Sequence, residues 1–323
     1  MPPRGKSRRS PALVLSLLAV LAIVSAVAFM TLGARGSWSF ILSFRGTKLL
    51  SMATVAYAIA ISTVLFQTVT NNRILTPSIM GFDSLYGLLQ TLLVLVLGAT
   101  AVSALDGRLL FVIEVGVMMV FSAALYQLLF SGALKSIHLL LLAGVIFGVL
   151  FRSLSGFLQR IIDPNDFVVL QDRLFANFNT IDSHLLGVSL SLVGLVSLAA
   201  WRIFHTLDVL SLGREAAISL GVDHRRISML ILMLVAVLVS VSTALVGPAT
   251  FFGLLVANLA YLVMPSNKHR HILPAAVLIA IITLVGGQTV LERVFAFDTA
   301  LPIIVEFAGG IFFILVLLKG SIR

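Results

Sequence analysis

Two glutamates stand inside long apolar stretches of the sequence, where an ionisable side chain is costly and often functional. Glu114 lies within 108–130, and Glu306 lies within 301–318. A carboxylate in such a place can relay protons, as in a secondary transporter driven by protons or sodium. It can also be a hydrogen-bonded carboxyl that faces neighbouring helices. The sequence is compatible with both interpretations.

The six histidines do not suggest a metal site. The closest pair, His269 and His271, is spaced i, i+2, so the two side chains would not share a helix face. We expect both in a solvated basic loop. Cysteine is absent, which excludes thiolate ligands, disulfides and a cysteine nucleophile. Neither H-E-x-x-H nor G-x-S-x-G occurs. We therefore predict no metal site, no catalytic residue and no enzymatic activity.

Composition indicates the class of protein that must position these residues. The 323 residues are 59% hydrophobic and 11% charged, whereas soluble domains carry roughly 25% charged residues. Runs such as Leu92–Gly98 do not alternate as barrel strands do, so helices must satisfy the backbone in lipid. The prediction is an all-α polytopic membrane protein. Its ten expected spans are 11–32, 47–70, 77–100, 108–130, 137–158, 182–204, 227–246, 249–264, 272–291 and 301–318.

The distribution of basic residues predicts the orientation. Most lysines and arginines fall on one side if the N-terminal tail, 1–10, is cytoplasmic, as the positive-inside rule requires. We therefore expect a multi-pass protein of the bacterial cytoplasmic (inner) membrane with both termini inside. The net charge of +9 is assigned to this asymmetry and to contact with membrane lipid, so no nucleic-acid partner is predicted.

Two predicted loops are longer than helix packing requires. The outer loop, 159–181, begins with the turn signal Asp163-Pro164 and is expected to form a short surface helix. The inner loop, 205–226, is expected to contain two short helices. Asp208 would cap the first, Gly213 would interrupt the chain, and Gly221 would adopt the left-handed conformation that ends the second.

The inner loop also carries a small apolar cluster between charged residues. Such a cluster can enter a groove on a partner protein, with apolar anchors and a polar rim. Alternatively, an amphipathic basic loop can rest on lipid headgroups. The cluster consists of Leu210, Ala216, Ala217, Leu220 and Val222.

The stretch Leu212–Val222 resembles the coupling-helix motif of the iron-chelate uptake permeases, an ABC-transporter family that includes the cobalamin permease. Three further stretches resemble the family's motifs in the same order, and the likeness covers roughly residues 45–318. The three further stretches are 67–81, 247–254 and 301–313. The family pattern is not matched at Arg73, Asn258 and Glu306.

The resemblance implies one permease domain over 1–323 with a cobalamin-permease-like bundle, which moves ferric siderophores inward. ATP would be hydrolysed by a separate subunit, in agreement with the missing G-x-x-x-x-G-K-[ST] loop. This chain would thus hold no cofactor, because the partner binds ATP and Mg. The implied partners are two cytoplasmic ATP-binding subunits, a second permease copy or paralogue, and an extracytoplasmic siderophore-binding protein.

The resemblance also implies site residues, each with a plainer alternative. Arg45, Lys48 and Arg293 would dock the binding protein, or reach lipid headgroups as interface residues. Independently of the resemblance, Asp83 is expected to cap or orient the start of the third span. The residues expected to couple transport to the ATPase are Leu212, Gly213, Arg214, Glu215, Ala216, Ala217, Leu220 and Gly221. For Gln67 and Asn258 the alternative is a polar contact between helices. Those expected along the translocation pathway are Gln67, Asn71, Gly247, Pro248, Phe252 and Asn258.

Overall fold

The computed structural model describes residues 10–33, 37–131, 137–179, 182–295 and 300–320. The predicted N-terminal tail, apart from Ser10, lies outside the described residues. All regular structure in the described part of the chain is helical. The α-helices are α1 (Pro11–Thr31), α2 (Trp38–Thr70), α3 (Phe82–Leu97), α4 (Ala99–Ala104), α5 (Gly107–Ser131), α6 (Ile137–Leu158), α7 (Pro164–Arg173), α8 (Ser183–Arg202), α9 (Phe204–Leu210), α10 (Arg214–Ser219), α11 (His224–Val246), α12 (Phe252–Val263), α13 (His269–Arg293) and α14 (Leu301–Gly320).

Ten apolar helices in the described part of the chain correspond to the ten predicted spans. Seven are long and apolar enough to cross a membrane, namely most of α2, α5 and α6 together with α1, α8, α11 and α13. Three shorter apolar helices, α3, α12 and the first part of α14, complete the set. The predicted fold class is therefore confirmed.

Helix starts follow local sequence signals. Ser10 precedes Pro11, and its hydroxyl accepts a hydrogen bond from the backbone N–H of Leu13 at 3.2 Å, as an N-cap residue does. Asp163 caps α7 in the same way by accepting from the N–H of Asn165 at 2.8 Å. The short helix predicted within 159–181 is thus present as α7.

Three helices form the centre of the bundle. α2 packs against both α11 and α13, and its side chains Met52 and Phe66 are fully buried. Ile231 of α11 and Ala276 of α13 are buried at the same depth. α1 lies at the edge of the bundle and packs on α2 and α13, whereas α3, α5 and α6 form the opposite side.

One predicted span is interrupted, and the boundary between two others also lies at a glycine. The stretch 77–100 was expected as one helix, but a 3-10 turn at Pro77–Met80 precedes α3, and Gly81 between them has φ 91°. Gly98, with φ 79°, ends α3. Gly247, with φ 99°, separates α11 from α12. Only glycine adopts such positive φ values without strain, so these breaks are built into the sequence.

The second span is longer than its predicted range. α2 begins at Trp38 rather than at residue 47, and Arg45 lies within the helix. We expected this charge outside the span. Its guanidinium instead donates to backbone carbonyls at the end of α1, at 2.8 Å from Phe29 and 3.0 Å from Leu32. These hydrogen bonds give the guanidinium N–H groups acceptors within the protein.

The break before α3 is held by a close backbone contact with α6. A Cβ atom on Gly144 would lie 2.9 Å from the Cα of Met80, and one on Gly148 would lie 3.1 Å from the Cα of Gly81. The neighbours at both positions are backbone atoms, which cannot move aside as a flexible side chain can. Small residues four apart thus allow α6 to touch the turn.

We expect Gly144→Leu to separate α6 from the turn at Met80 and to destabilise the protein. Overpacking of a tight contact typically costs about 1–3 kcal/mol, so the thermal unfolding midpoint in detergent should fall. Gly156→Leu on the same helix is the matched control, because Gly156 has no atom of another residue near its Cβ position. Equal midpoints for the two variants would show that the contact at Gly144 does not constrain the fold.

Candidate functional site

The loop between α8 and α11 folds into two short helices, as predicted. α9 ends before Gly213, whose φ of 99° turns the chain into α10. At the far end of α10, Gly221 has φ 83°, and the N–H of Val222 donates to the carbonyl of Ala217 at 3.0 Å. This is the left-handed helix ending expected at Gly221. Glycine therefore bounds the six-residue helix on both sides.

The role predicted for Asp208 is wrong. α9 begins at Phe204, five residues earlier than a cap at Asp208 would allow, and Asp208 lies in its last turn. Its Oδ1 atom accepts from the backbone N–H of His269 at 2.8 Å and lies 2.7 Å from the ring Nδ1 atom of the same residue. Two residues that are distant in sequence thus meet at this end of the bundle, which we call the α10 end.

The expectation for His269 is wrong as well. It does not lie in a solvated loop but is the first residue of α13, with 3% of its surface exposed. Its Nε2 atom lies 2.7 Å from the hydroxyl of Thr68, near the end of α2. His271 is less buried and lies 3.1 Å from Ser266 through its Nδ1 atom.

The apolar surface of the loop differs in composition from the predicted cluster. Leu210 and Ala217 are buried, so they support the loop from within rather than offer contacts. Leu212 is 63% exposed, Ile218 53% and Leu220 61%. We call these three exposed apolar side chains the apolar ridge. Leu212 and Ile218 lie outside the predicted cluster, and Ile218 is also absent from the predicted coupling residues.

The remaining coupling candidates surround this ridge. Arg214 and Glu215 are exposed in the first turn of α10, and Ala216 is partly buried. An acidic residue in the first turn of a helix is favoured by the unpaired N–H groups there. The roles predicted for all eight coupling residues stay predictions, but the residues do lie together on one short segment.

The three basic residues predicted to dock a binding protein meet at the end of the bundle opposite α10. Lys48 is buried and pairs with Glu292 of α13 at 2.5 Å. Arg45 donates to carbonyls at the end of α1, and Arg293 donates to the carbonyl of Leu32. Together the three residues hold the end of α1 against α2 and α13, and we call them the basic clasp. Docking remains a prediction. Of these three basic residues, only Arg293 is exposed.

Two of the predicted pathway residues hold the connection that follows α2. The side-chain amide of Gln67 donates to the backbone carbonyl of Arg73 at 2.7 Å, and that of Asn258 on α12 donates to the same oxygen at 3.1 Å. The Arg73 guanidinium lies over the ring of Tyr261, 4.3 Å from its centre. In this structure, Gln67 and Asn258 therefore serve as polar contacts between segments.

Asn71 marks the end of α2. It adopts a left-handed conformation with φ 49°, which asparagine tolerates better than most residues. Its side-chain amide donates to the carbonyl of Leu210 at 3.4 Å. Asn71 thus joins α2 to α9, close to the contact between Asp208 and His269.

Gly247 and Pro248 form the break between α11 and α12. A Cβ on Gly247 would lie 3.0 Å from the carbonyl oxygen of Phe175, which follows α7. The N–H of Asn177 donates to the carbonyl of Val246 at 2.7 Å. The chain after α7 therefore packs directly on this break. Phe252, by contrast, is 2% exposed and belongs to the core.

Glu114, Glu306 and Asp83, three carboxyl groups within the apolar helices, each have a hydrogen-bond partner. Glu114 accepts from the Gln90 amide at 2.6 Å, and both side chains are buried. Glu306 accepts from the N–H of Phe251, at the start of α12, at 3.5 Å. Of the two roles predicted for Asp83, the cap is not observed, because Asp83 lies in the first turn of α3; orienting that helix stays a prediction, and Asp83 accepts from the Thr250 hydroxyl at 2.7 Å. Asp83 and Thr250 thus connect the two breaks.

Comparison with known proteins agrees with this architecture. The petrobactin import system permease protein YclO of Bacillus subtilis (strain 168) is 48% identical over 95% of this chain and 97% of its own length. The petrobactin import system permease protein FatC of Bacillus anthracis is 37% identical over 85% of this chain and 78% of its own.

A solved structure and a family description complete the comparison. The structure, an inward-facing metal-chelate type ABC transporter, superposes with a TM-score of 0.81 at 23% identity. It covers 96% of this chain and 100% of that chain, and at this identity it shows the fold alone. The sequence description of the FecCD transport family matches residues 11–319. The resemblance found in the sequence motifs is confirmed: the chain belongs to the FecCD transport family.

Proposed function

We propose that the chain is the membrane-spanning permease of an ABC importer that moves ferric siderophores into the cell. The observation that carries the proposal is the apolar ridge of Leu212, Ile218 and Leu220, which is exposed on α10 and directly before and after it, in a chain of this family. An apolar ridge flanked by charge suits a groove on a partner protein. ATP and Mg would be bound by that partner.

The chemical class of the cargo follows from the relatives. Two permeases at 48% and 37% identity are named for petrobactin import. Petrobactin is therefore the first siderophore to test. Selection of one siderophore over another would rest largely with an extracytoplasmic binding protein. The permease would work with a second copy of itself or a paralogue, and with two ATP-binding subunits.

The coupling residues divide into two groups by their burial. Leu212, Ile218 and Leu220 would enter the groove of the ATP-binding subunit, with Arg214 and Glu215 at its rim. The buried or backbone-determining residues would fix the shape of the loop. This second group contains Ala216, Ala217, Gly213 and Gly221.

The position of the basic clasp supports a further part of the proposal. Arg293 is exposed at the end opposite α10 and would meet acidic residues of the binding protein. Such exposed pairs influence docking rate and orientation more than affinity. Lys48 would act there only indirectly, because Glu292 already neutralises it.

Uptake into reconstituted vesicles tests the proposal. The permease is co-reconstituted with its ATP-binding subunits and supplied with loaded binding protein and radiolabelled ferric petrobactin, with or without ATP. Accumulation should require ATP and should be unaffected by collapse of the proton and sodium gradients. Accumulation driven by an ion gradient without the ATP-binding subunits would overturn the proposal and point to the carboxylates Glu114 or Glu306.

We predict that Leu220→Asp separates the permease from its ATP-binding subunits. Placing a carboxylate in an apolar contact should weaken the complex by about tenfold or more. Co-purification in detergent measures this loss, and Leu220→Met is the matched control because it keeps an apolar side chain of similar volume. If Leu220→Asp bound the subunits as Leu220→Met does, the ridge would not be the contact.

Cysteine labelling checks the proposed orientation. The natural chain has no cysteine, so a single introduced thiol reports one position. In intact cells, Asn165→Cys on α7 should react with a membrane-impermeant maleimide, whereas Ser219→Cys on α10 should react only after the cells are opened. Both residues are exposed in the structure. The reverse labelling pattern would place α10 outside the cell and exclude coupling to a cytoplasmic ATPase.

A further inference from the structure

Three side chains from three helices form a hydrogen-bonded chain at the α10 end. Asp208 on α9 contacts the Nδ1 atom of His269 on α13 at 2.7 Å, and the Nε2 atom of His269 contacts the hydroxyl of Thr68 on α2 at 2.7 Å. α2 and α13 are central helices of the bundle, whereas α9 belongs to the loop that carries α10. These hydrogen bonds thus join the loop to the core of the bundle.

Asp208 also replaces the missing cap of α13. Lys268, the N-cap residue of α13, makes no side-chain capping bond, and Asp208 accepts from the N–H of His269 instead. Partial burial acts to raise the pKa of Asp208, but hydrogen bonds from the backbone and ring of His269 outweigh it and hold the pKa below its usual range. An ionised carboxylate at a helix N-terminus is stabilised by the free N–H groups there.

The hydrogen-bonded chain persists in either protonation state of the His269 ring. Because a carboxylate only accepts, Nδ1 must carry the proton that faces Asp208. With a neutral ring, the Thr68 hydroxyl donates to Nε2. With a charged ring, Nε2 donates to Thr68, whose hydroxyl donates to the carbonyl of Val64 at 2.8 Å. Every buried polar atom of the link keeps a partner in both cases.

Packing around these hydrogen bonds fixes α9, rather than α10, to the rest of the bundle. Leu207 and Leu210 of α9 are each 1% exposed, and the Asn71 amide at the end of α2 donates to the Leu210 carbonyl. α10 packs on α9 and α11 and displays its ridge outward. A force applied to the ridge therefore reaches α2 and α13 through α9.

A proline sets the first turns of α13 apart from the rest of the helix. Pro274 lies inside α13 and has no N–H to offer the carbonyl of Arg270. The backbone hydrogen bonding of the helix is therefore interrupted shortly after His269. The segment that Asp208 holds can consequently tilt relative to the remainder of α13 at low cost.

We propose that His269 is a positioning residue for transport, and that the chain Asp208–His269–Thr68 transmits movement of α10 to α2 and α13. This inference rests on the proposed function, since it assumes an ATP-binding subunit on the ridge. A contact needed only for folding would affect the amount of protein. A transmitting contact affects the number of siderophores imported for each ATP hydrolysed.

The test uses the reconstituted complex with loaded binding protein and compares ferric petrobactin uptake with ATP hydrolysis. Thr68→Val removes the hydroxyl with almost no change in shape, whereas Thr68→Ser keeps it. His269→Leu breaks both bonds, and His271→Leu is its matched control on the same turn. We expect Thr68→Val and His269→Leu to assemble and hydrolyse ATP, with uptake per ATP lowered about fivefold or more, within the range of coupling energies between sites.

Each result has one meaning. Normal uptake per ATP in Thr68→Ser and His271→Leu, with loss in Thr68→Val, supports the link, even if His269→Leu does not accumulate in the membrane. Wild-type uptake per ATP in Thr68→Val overturns the link while leaving the proposed function in place. Absence of ATP-dependent uptake in the unaltered complex overturns the proposed function, and the link falls with it.

Discussion

The structure depends on one constraint, that backbone N–H and C=O groups inside a bilayer must find partners within the protein. Unbroken helices meet this constraint by themselves, but the breaks at Gly81 and Gly247 do not. Polar side chains supply bonds around these breaks. Glu306 accepts from the N–H of Phe251, and Asp83 joins Thr250 across the two breaks. Glu306, one of the two glutamates that suggested a proton relay, thus has a structural task.

The same constraint shapes the α10 end of the bundle. There the connection after α2 is held by Gln67 and Asn258, which share the carbonyl oxygen of Arg73. The start of α13 is held by Asp208, a residue of another helix. Asn258 and Asp208 are partners from distant segments, whereas Gln67 lies on α2 itself. Because Asn258 and Asp208 lie on other helices, the polar contacts that complete the backbone also tie the helices together.

Much of the architecture could be predicted from apolar run length and from glycine. Span positions and the turns at Gly213 and Gly221 depend on neighbouring residues only, so they are visible in the sequence. The contact of Asp208 with His269 joins positions 61 residues apart and leaves no periodic signal. Because this contact leaves no signal in the sequence, Asp208 was wrongly predicted as a helix cap and His269 as a residue of a solvated loop. The break at Gly81 was missed for a related reason, since its support comes from Gly144 and Gly148 on α6.

The clasp at the end of α1 has a consequence for how the protein is made. α1 leaves the ribosome well before α13, because Arg293, which binds the carbonyl of Leu32, lies 261 residues later in the chain. While the intervening residues are made, α1 must therefore stay in the bilayer without its principal neighbour. No charged residue occurs between Pro11 and Thr31, so the helix is stable in lipid on every side. It can remain there until α13, the ninth span, is inserted and packs against it.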